Sequence, residues 1–543
     1  MPDPAKHTVT RRKALTSLSS LGAAVFALTP QSAPAAEAPA RPRRANPRTQ
    51  DVWETIHARV TATPLVDTHE HLVEEQERLQ PAPRPHLPCD DWALLFGHYL
   101  DSDLLVAGMP PAELSRFLSP NVAPLDKWPL LSPYWPAVRH TGYARAVRLA
   151  IRELYDVEEL SAATVRQVQA GYERTRRPGF YRRLLQEVAN IESCQVNHLG
   201  SEPFRQSAQP TLLMQDISIV GMFAGPRLEA YAGPAGIRVQ SLADWHRVIA
   251  WWFTRYARYA VAVKSQHAYS RDLDYARVPA EQAEPVFNKV LRHDPVSAEE
   301  RKRLEDHLFW QAVDAATAHG LPVKLHTGYY AGHNSMPLAR LRSNAGSAAE
   351  LCRLSPQTRF VFMHMNYPHY EELLALVKHY TNAYLDLCWA WIINPVAAKD
   401  CLKKLLLTAP ANKVLPFGGD YIPVEPVVGH AAIARRGITQ ALTELVEEGW
   451  MSLDEALELV APLLHGNARQ LFQLEQKTAA LRQADWARGA ACRSATRPWC
   501  CPPTLPGASG RSATTASQRE QPAEPPATSA GRQPTGPVAD CGL

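Results

Sequence analysis

The sequence predicts an α/β protein, a (β/α)8 TIM-like barrel with a mainly helical insertion after its first strand and a disordered C-terminal tail. Three observations carry this. Short apolar runs of strand type recur along the chain with helical periodicity between them. Several of these runs end in a residue able to bind a metal, as in barrels that build a site at the C-terminal ends of their strands. From about residue 488 the composition turns to Ala, Pro, Ser, Thr, Gly and Arg with few aliphatics, too little apolar surface to offset chain entropy. At 543 residues, 45% apolar and 8% aromatic, the chain can fill a large core.

Residues 1–38 read as a twin-arginine-type export signal. Arg11, Arg12 and Lys13 precede the apolar run Ala14 to Leu28, and Ala33-Pro34-Ala35 and Ala36-Glu37-Ala38 offer small-residue cleavage sites. The run is too short and Ser-rich to span a bilayer, so the expectation is a periplasmic or secreted protein with no membrane contact after cleavage. Nine cysteines without C-x-x-C spacing exclude a zinc-finger or disulfide-stapled scaffold. A net charge of +4 with no basic stripe gives no sign of nucleic-acid binding.

A Pro- and Arg-rich linker, 39–49, leads into a barrel spanning 50–476, which begins with a helix over 50–62. The first strand lies in Pro64–Val73, PLVDTHEHLV, ending in His69 and His71. Alternation along a strand puts both imidazoles on one face, with Asp67 on the same parity and Glu70 on the other. Residues 74–187, rich in Pro, Trp and Tyr, form the insertion: a cap over the site, or a surface subdomain or oligomer contact. Strands 2 and 3 are placed near 191–197 and 212–222, and a helix over 242–256. Tyr259–Ser265 delivers Lys264, Leu321–Gly328 delivers His326, Phe360–Pro368 delivers His364 and Val414–Tyr421 delivers Asp420. Strand 7 is expected at 383–387, closing helices at 428–448 and 452–474, and a disordered tail over 477–543.

This series resembles the amidohydrolase superfamily, in particular the amidohydrolase-related (amidohydrolase 2) branch that includes the nodulin-type domains fused to glutamine-synthetase-like domains. The shared pattern is H-x-H on strand 1, Lys on strand 4, His on strands 5 and 6 and Asp on strand 8. Local phrases such as VAVKSQHAYSR (261–271), KLHTGYY (324–330) and HGNARQLF (465–472) are similar too. The resemblance implies a divalent metal site, with Zn2+ the first choice for imidazole and carboxylate ligands. A carbamylated Lys264 would bridge two ions, one held by His69, His71 and Asp420 and the other by His326 and His364. Without carbamylation, His69, His71, His326 and Asp420 would hold one ion. Lys264 could instead stay charged, binding an anionic substrate group or forming a structural ion pair.

Catalysis is expected from Asp420 as general base and from His364, which ligates or stabilises an oxyanion. Arg271, Tyr269, Tyr330 and Trp389 are candidate substrate contacts, Tyr329 and Trp391 lie beside them, and Arg271 could equally pair with Asp272 or Asp274. The reading is a metal-dependent hydrolase of a C–N or C–O bond in a small molecule, as a monomer or homo-oligomer. The alternatives are a non-hydrolytic enzyme on the same scaffold, a decarboxylase or a uronate-isomerase-like protein, and a catalytically inactive metal-binding protein.

Overall fold

The structure is a computed structural model that describes residues 49–80, 86–223, 228–334 and 336–487. The expected export signal, the linker up to residue 48 and the tail beyond 487 lie outside the described residues. A parallel ladder runs through β1 (Leu65–Glu70), β2 (Ile191–Val196) and β3 (Leu213–Gln215, resuming as Ile217–Ser218 after Asp216). It continues through β4 (Val263–Ser265), β5 (Val323–Leu325), β6 (Phe360–Phe362), β7 (Ala383–Asp386) and β8 (Val414–Leu415). Past β8 the chain returns to β1: Thr68 N donates to Phe417 O (3.1 Å), Asp420 N to His69 O (2.9 Å) and His71 N to Tyr421 O (3.0 Å). The strands form a three-stranded and a six-stranded parallel sheet, and these backbone contacts bring the end of the second beside the start of the first, the (β/α)8 arrangement the sequence predicts without a closing ladder among the described residues.

Helices form where capping and apolar spacing agree. Ser297 and Glu300 make a reciprocal capping box that starts the helix Ala298–Ala318, and Gly320, at φ 66°, ends it just before β5. A second capping box, Ser452 with Glu455, starts Leu453–Ala461. Val66, Met214, Val361, Leu415 and Phe472 pack together as one cluster, separate from the larger one built from the helices and the other strand faces. Beside it Lys324, fully buried, satisfies its ammonium on Asp216 (2.9 Å) and Thr68 O (2.7 Å).

Between β1 and β2 the insertion carries its own apolar core, in which Trp92, Phe96 and Phe117 meet edge to face. Its main helices are Leu100–Val106, Pro111–Phe117, Gly142–Tyr155 and Val165–Thr175. It is tied to the barrel by a buried fork, Arg78 Nη1 and Nη2 donating to Glu425 Oε2 (3.0 Å) and Oε1 (2.7 Å) on the helix Glu425–Glu447. Gly429 on that helix faces Ala146 of Gly142–Tyr155 so closely that a Cβ would stand 1.9 Å from the Ala146 carbonyl oxygen. The tail starts later than residue 477: Leu474–Arg482 is helical, Leu481 and Ala484 are buried, and Lys477 donates to Ala257 O (2.7 Å). Among the described residues, no helix is long and apolar enough to cross a membrane.

Candidate metal centre

The residues at the C-terminal ends of β1, β4, β6 and β8 converge. His69 Nε2 lies 3.3 Å from His71 Nε2 and 3.1 Å from Asp420 Oδ1, and His71 Nε2 lies 3.4 Å from the same oxygen. His71 Nδ1 is 2.6 Å from the Asn197 carbonyl oxygen. A carbonyl only accepts, so the proton sits on Nδ1 and Nε2 keeps its lone pair for a ligand. Asp67, although of matching parity, does not join them, because the register slips between Asp67 and Glu70. Its Oδ1 accepts from His69 N (3.1 Å) and Gly419 N (3.2 Å), while Glu70 Oε2 accepts from Tyr421 N (2.6 Å). Both carboxyl groups thus hold the Asp420 loop from behind.

Lys264, buried, sits with Nζ 3.4 Å from His69 Nε2 and 3.1 Å from Met363 Sδ. Burial lowers its pKa, against the opposing pull of Asp420. Burial likewise pushes the Asp420 carboxyl up to about 7, with Lys264 pulling the other way. His69, His71, His326 and His364 are all pushed well below the ordinary imidazole range, first by burial and then by nearby positive charge. Neutral imidazoles are the form that ligates a metal.

His326 lines the same small cavity but is turned aside from the other donors. Its Nε2 points at the Tyr329 carbonyl oxygen (2.9 Å), and its ring stands 4.3 Å from that of His364, outside the two sets of ligand atoms that converge among the described residues. Those sets are His69, His71 and Asp420, and His364, Cys388 and Asp420, the atoms of each lying within 4.8 Å of one another. The turn after His326 brings Gly328, at φ 70°, against the chain following His364, where a Cβ would be 2.5 Å from Asn366 backbone.

Of the candidate substrate contacts, Tyr269 reaches the site, with its ring 4.5 Å from His326 and its hydroxyl accepting from Ala331 N (3.1 Å). Tyr330 is buried behind it, 5.2 Å ring to ring. Trp389 stands edge-on to His364 at 5.4 Å and stacks on Tyr99 at 4.9 Å. Trp391 turns into the core and donates to Pro416 O (2.7 Å), since Ala390–Ile393 is a helical turn in which strand parity no longer applies. Arg271 takes the structural alternative, pairing with Asp306 (2.6 Å), Asp274 (3.1 Å) and Glu305 (3.3 Å) and lying over the Tyr275 ring.

Sequence reasoning missed two cap residues. The Tyr99 hydroxyl lies 2.7 Å from Asp420 Oδ2 and 2.5 Å from the Asp420 carbonyl oxygen. His98 beside it stacks on Tyr99 and lies edge-on to His71 at 6.0 Å. His98, His364, Trp389 and Asp420 all have positive φ (82°, 61°, 63° and 62°), a conformation that side chains other than glycine rarely adopt and that clusters at functional sites. No repeat or spacing in the insertion could have marked His98 and Tyr99; only an adjacent His-Tyr pair was visible.

His71, His98, Tyr99, Lys264, Tyr269 and Asp420 are among the residues enclosing a cavity of about 20 Å3, room for about one water or ion. Beyond His71 lies a second chamber of about 230 Å3, whose walls include Glu77, His86, His198 and Arg205. The larger cavity of about 1010 Å3, between Leu228–Ala235 and Ala280–Leu291, has none of these groups.

Residues 241–474 match the family model Amidohydro_2, an amidohydrolase. This match supports the amidohydrolase superfamily as the chain's family. Protein fluG of Emericella nidulans is 26% identical over 229 residues, an alignment covering 40% of this chain and 26% of that protein; the chain thus spans about a quarter of fluG. The uronate isomerase of Xanthomonas axonopodis pv. citri is 20% identical over 468 residues, covering 79% of this chain and 97% of that enzyme. The crystal structure of glucuronate isomerase from Caulobacter crescentus superposes with a TM-score of 0.65 at 17% identity, over 82% of this chain and 98% of that one. The amidohydrolase fold implies a divalent metal, and the donors of His69, His71 and Asp420 fit one: two neutral imidazoles and a carboxylate aimed at a common point.

Proposed function

We propose that this amidohydrolase-superfamily enzyme moves a proton within a small hydroxylated carbonyl compound of the uronate class, an isomerisation, with Zn2+ held by His69, His71 and Asp420. The observation that carries the reading is the Tyr99 contact: the carboxylate of Asp420 meets a cap hydroxyl inside a cavity of about 20 Å3, so the base is enclosed away from water. A divalent ion bound there supplies Lewis acidity at the substrate oxygens. Asp420 takes the proton at its carboxylate and returns it at the neighbouring carbon. The Tyr99 hydroxyl stabilises the ionised carboxylate, and Lys264 offsets negative charge that develops on the substrate. A cavity this small admits substrate only when the cap shifts, and the chamber beyond His71 has room for the part of the molecule that does not react. The uronate isomerases that align over most of the chain support this reading.

Hydrolysis of a C–N or C–O bond is the second reading, favoured by Lys264. Its lowered pKa suits an amine that can be carbamylated, and it stands 3.4 Å from His69. Incubating the zinc-loaded protein with D-glucuronate and D-galacturonate in D2O tests the two. Isomerisation gives a product with the substrate's carbon and oxygen count in which the enclosed base returns mostly the original proton, so deuterium on carbon stays well below one per molecule; cleavage of amides or lactones with neither uronate isomerised refutes it. Asp420→Asn is expected to lower turnover at least about a hundredfold, and an equally active variant removes Asp420 from the mechanism. Arg11 and Arg12 ahead of the apolar run Ala14 to Leu28 support the further proposal that the protein is exported and acts in the periplasm or outside the cell, a reading refuted if the mature protein keeps residues 1–38.

A further inference from the structure

We propose that Cys388 forms a second cation position together with His364 and Asp420, with a thiolate in the coordination place that sequence assigned to His326. The three residues come from the ends of β7, β6 and β8, all buried, and offer ligand atoms within 4.8 Å of one another. His364 supplies an independent indication. Its Nδ1 lies 3.2 Å from the Cys388 carbonyl oxygen, which can only accept, so the proton is on Nδ1 and Nε2 carries the lone pair. That Nε2 is fully buried and has no hydrogen-bond partner, an arrangement that costs free energy unless something binds it. Gly418 leaves space for the sulfur: a Cβ there would stand 2.8 Å from Cys388 Sγ.

The donor set indicates the ion. One thiolate, one neutral imidazole and one carboxylate select zinc or cobalt over magnesium or manganese. Binding transfers the Cys388 thiol proton to solvent as the S–metal bond forms. Both positions use Asp420, so the carboxylate is common to the two. This inference does not depend on the reaction proposed above, since it concerns metal binding alone.

The test is titration of the full-length, metal-free protein with Co2+ while the absorption spectrum is recorded. The expected result is a thiolate-to-cobalt charge-transfer band in the near ultraviolet, lost in Cys388→Ser while the weaker visible d–d absorption of the His69–His71–Asp420 position remains. A wild-type protein saturated with Co2+ but lacking the band overturns the proposal. So does a Cys388→Ser variant that keeps it, which would assign the thiolate to another cysteine. Should Cys388→Ser fail to fold, His364→Gln, which leaves the thiol in place, must still weaken the band, and an unchanged spectrum there overturns the proposal.

Discussion

Glu425→Gln should loosen the cap without touching the metal ligands. Arg78 and Glu425 are both essentially inaccessible, joined by two hydrogen bonds of 3.0 and 2.7 Å, with Tyr172 at 3.0 Å from the same guanidinium. Glutamine keeps the shape but leaves the Arg78 charge buried and uncompensated, a loss of about 3–5 kcal/mol for a pair broken on one side. Because Arg78 lies at the root of the insertion and Glu425 on the barrel, that loss should appear as local opening of the cap. Hydrogen exchange read by mass spectrometry is the assay. Amide protection in Gly142–Tyr155 and Val165–Thr175 should fall by about two to three and a half orders of magnitude, about tenfold per 1.4 kcal/mol, while β5 and β6 change little. Replacing both partners, Arg78→Met with Glu425→Leu, removes the stranded charge and should recover most of the protection. A single variant that loses less than about tenfold, or a double variant as open as the single, refutes the reasoning.

Two further outcomes follow from packing and protonation. Gly429→Ala should lower the melting temperature, since its Cβ would press on the Ala146 carbonyl oxygen at 1.9 Å and neither helix backbone can yield cheaply, a cost of about 1–3 kcal/mol; an unchanged melting curve would show that the two helices slide freely. His267 is buried against the Phe223 ring with its pKa pushed down to about 3 by burial. The unfolded chain therefore takes up its proton first as pH falls: His267's contribution is complete above about 6.5 and is lost toward 3, by up to about 1.4 kcal/mol per pH unit. His267→Gln should flatten the fall in urea midpoint between pH 6.5 and 4 by about one proton's worth, and identical slopes for wild type and variant would contradict the assignment.

How much of this was legible depended on the kind of signal. The strand ends were readable because a strand's period of two and its C-terminal polar residue are local properties, and Leu242–Tyr256 was readable because its apolar residues recur at helical spacing. Parity failed where the backbone left the ideal strand, at the slip after Asp67 and at the helical turn holding Trp391. Partner choice was illegible where several acids lay within reach: Arg271 took Asp306, thirty-five residues on, alongside Asp274. Tyr99 could not be found, because its meeting with Asp420 depends on how a separately packed insertion lies over the barrel. Cys388 carried no spacing signal, and only the neighbouring positions of β6 and β7 bring it to His364. The helix at Leu474–Arg482 was undervalued because its polar composition hides a buried face around Leu481.

The first and last strands meet through Asp420 N and His69 O, atoms separated by most of the folded polypeptide. A ribosome releasing this chain from its N-terminus exposes the paired imidazoles hundreds of codons before the carboxylate that completes their set. Until then the nascent chain offers that position only the two imidazoles of His69 and His71, a weak chelate open to exchange. Loading of the metal is therefore tied to near-completion of synthesis, and a product truncated before residue 420 should be unable to retain it.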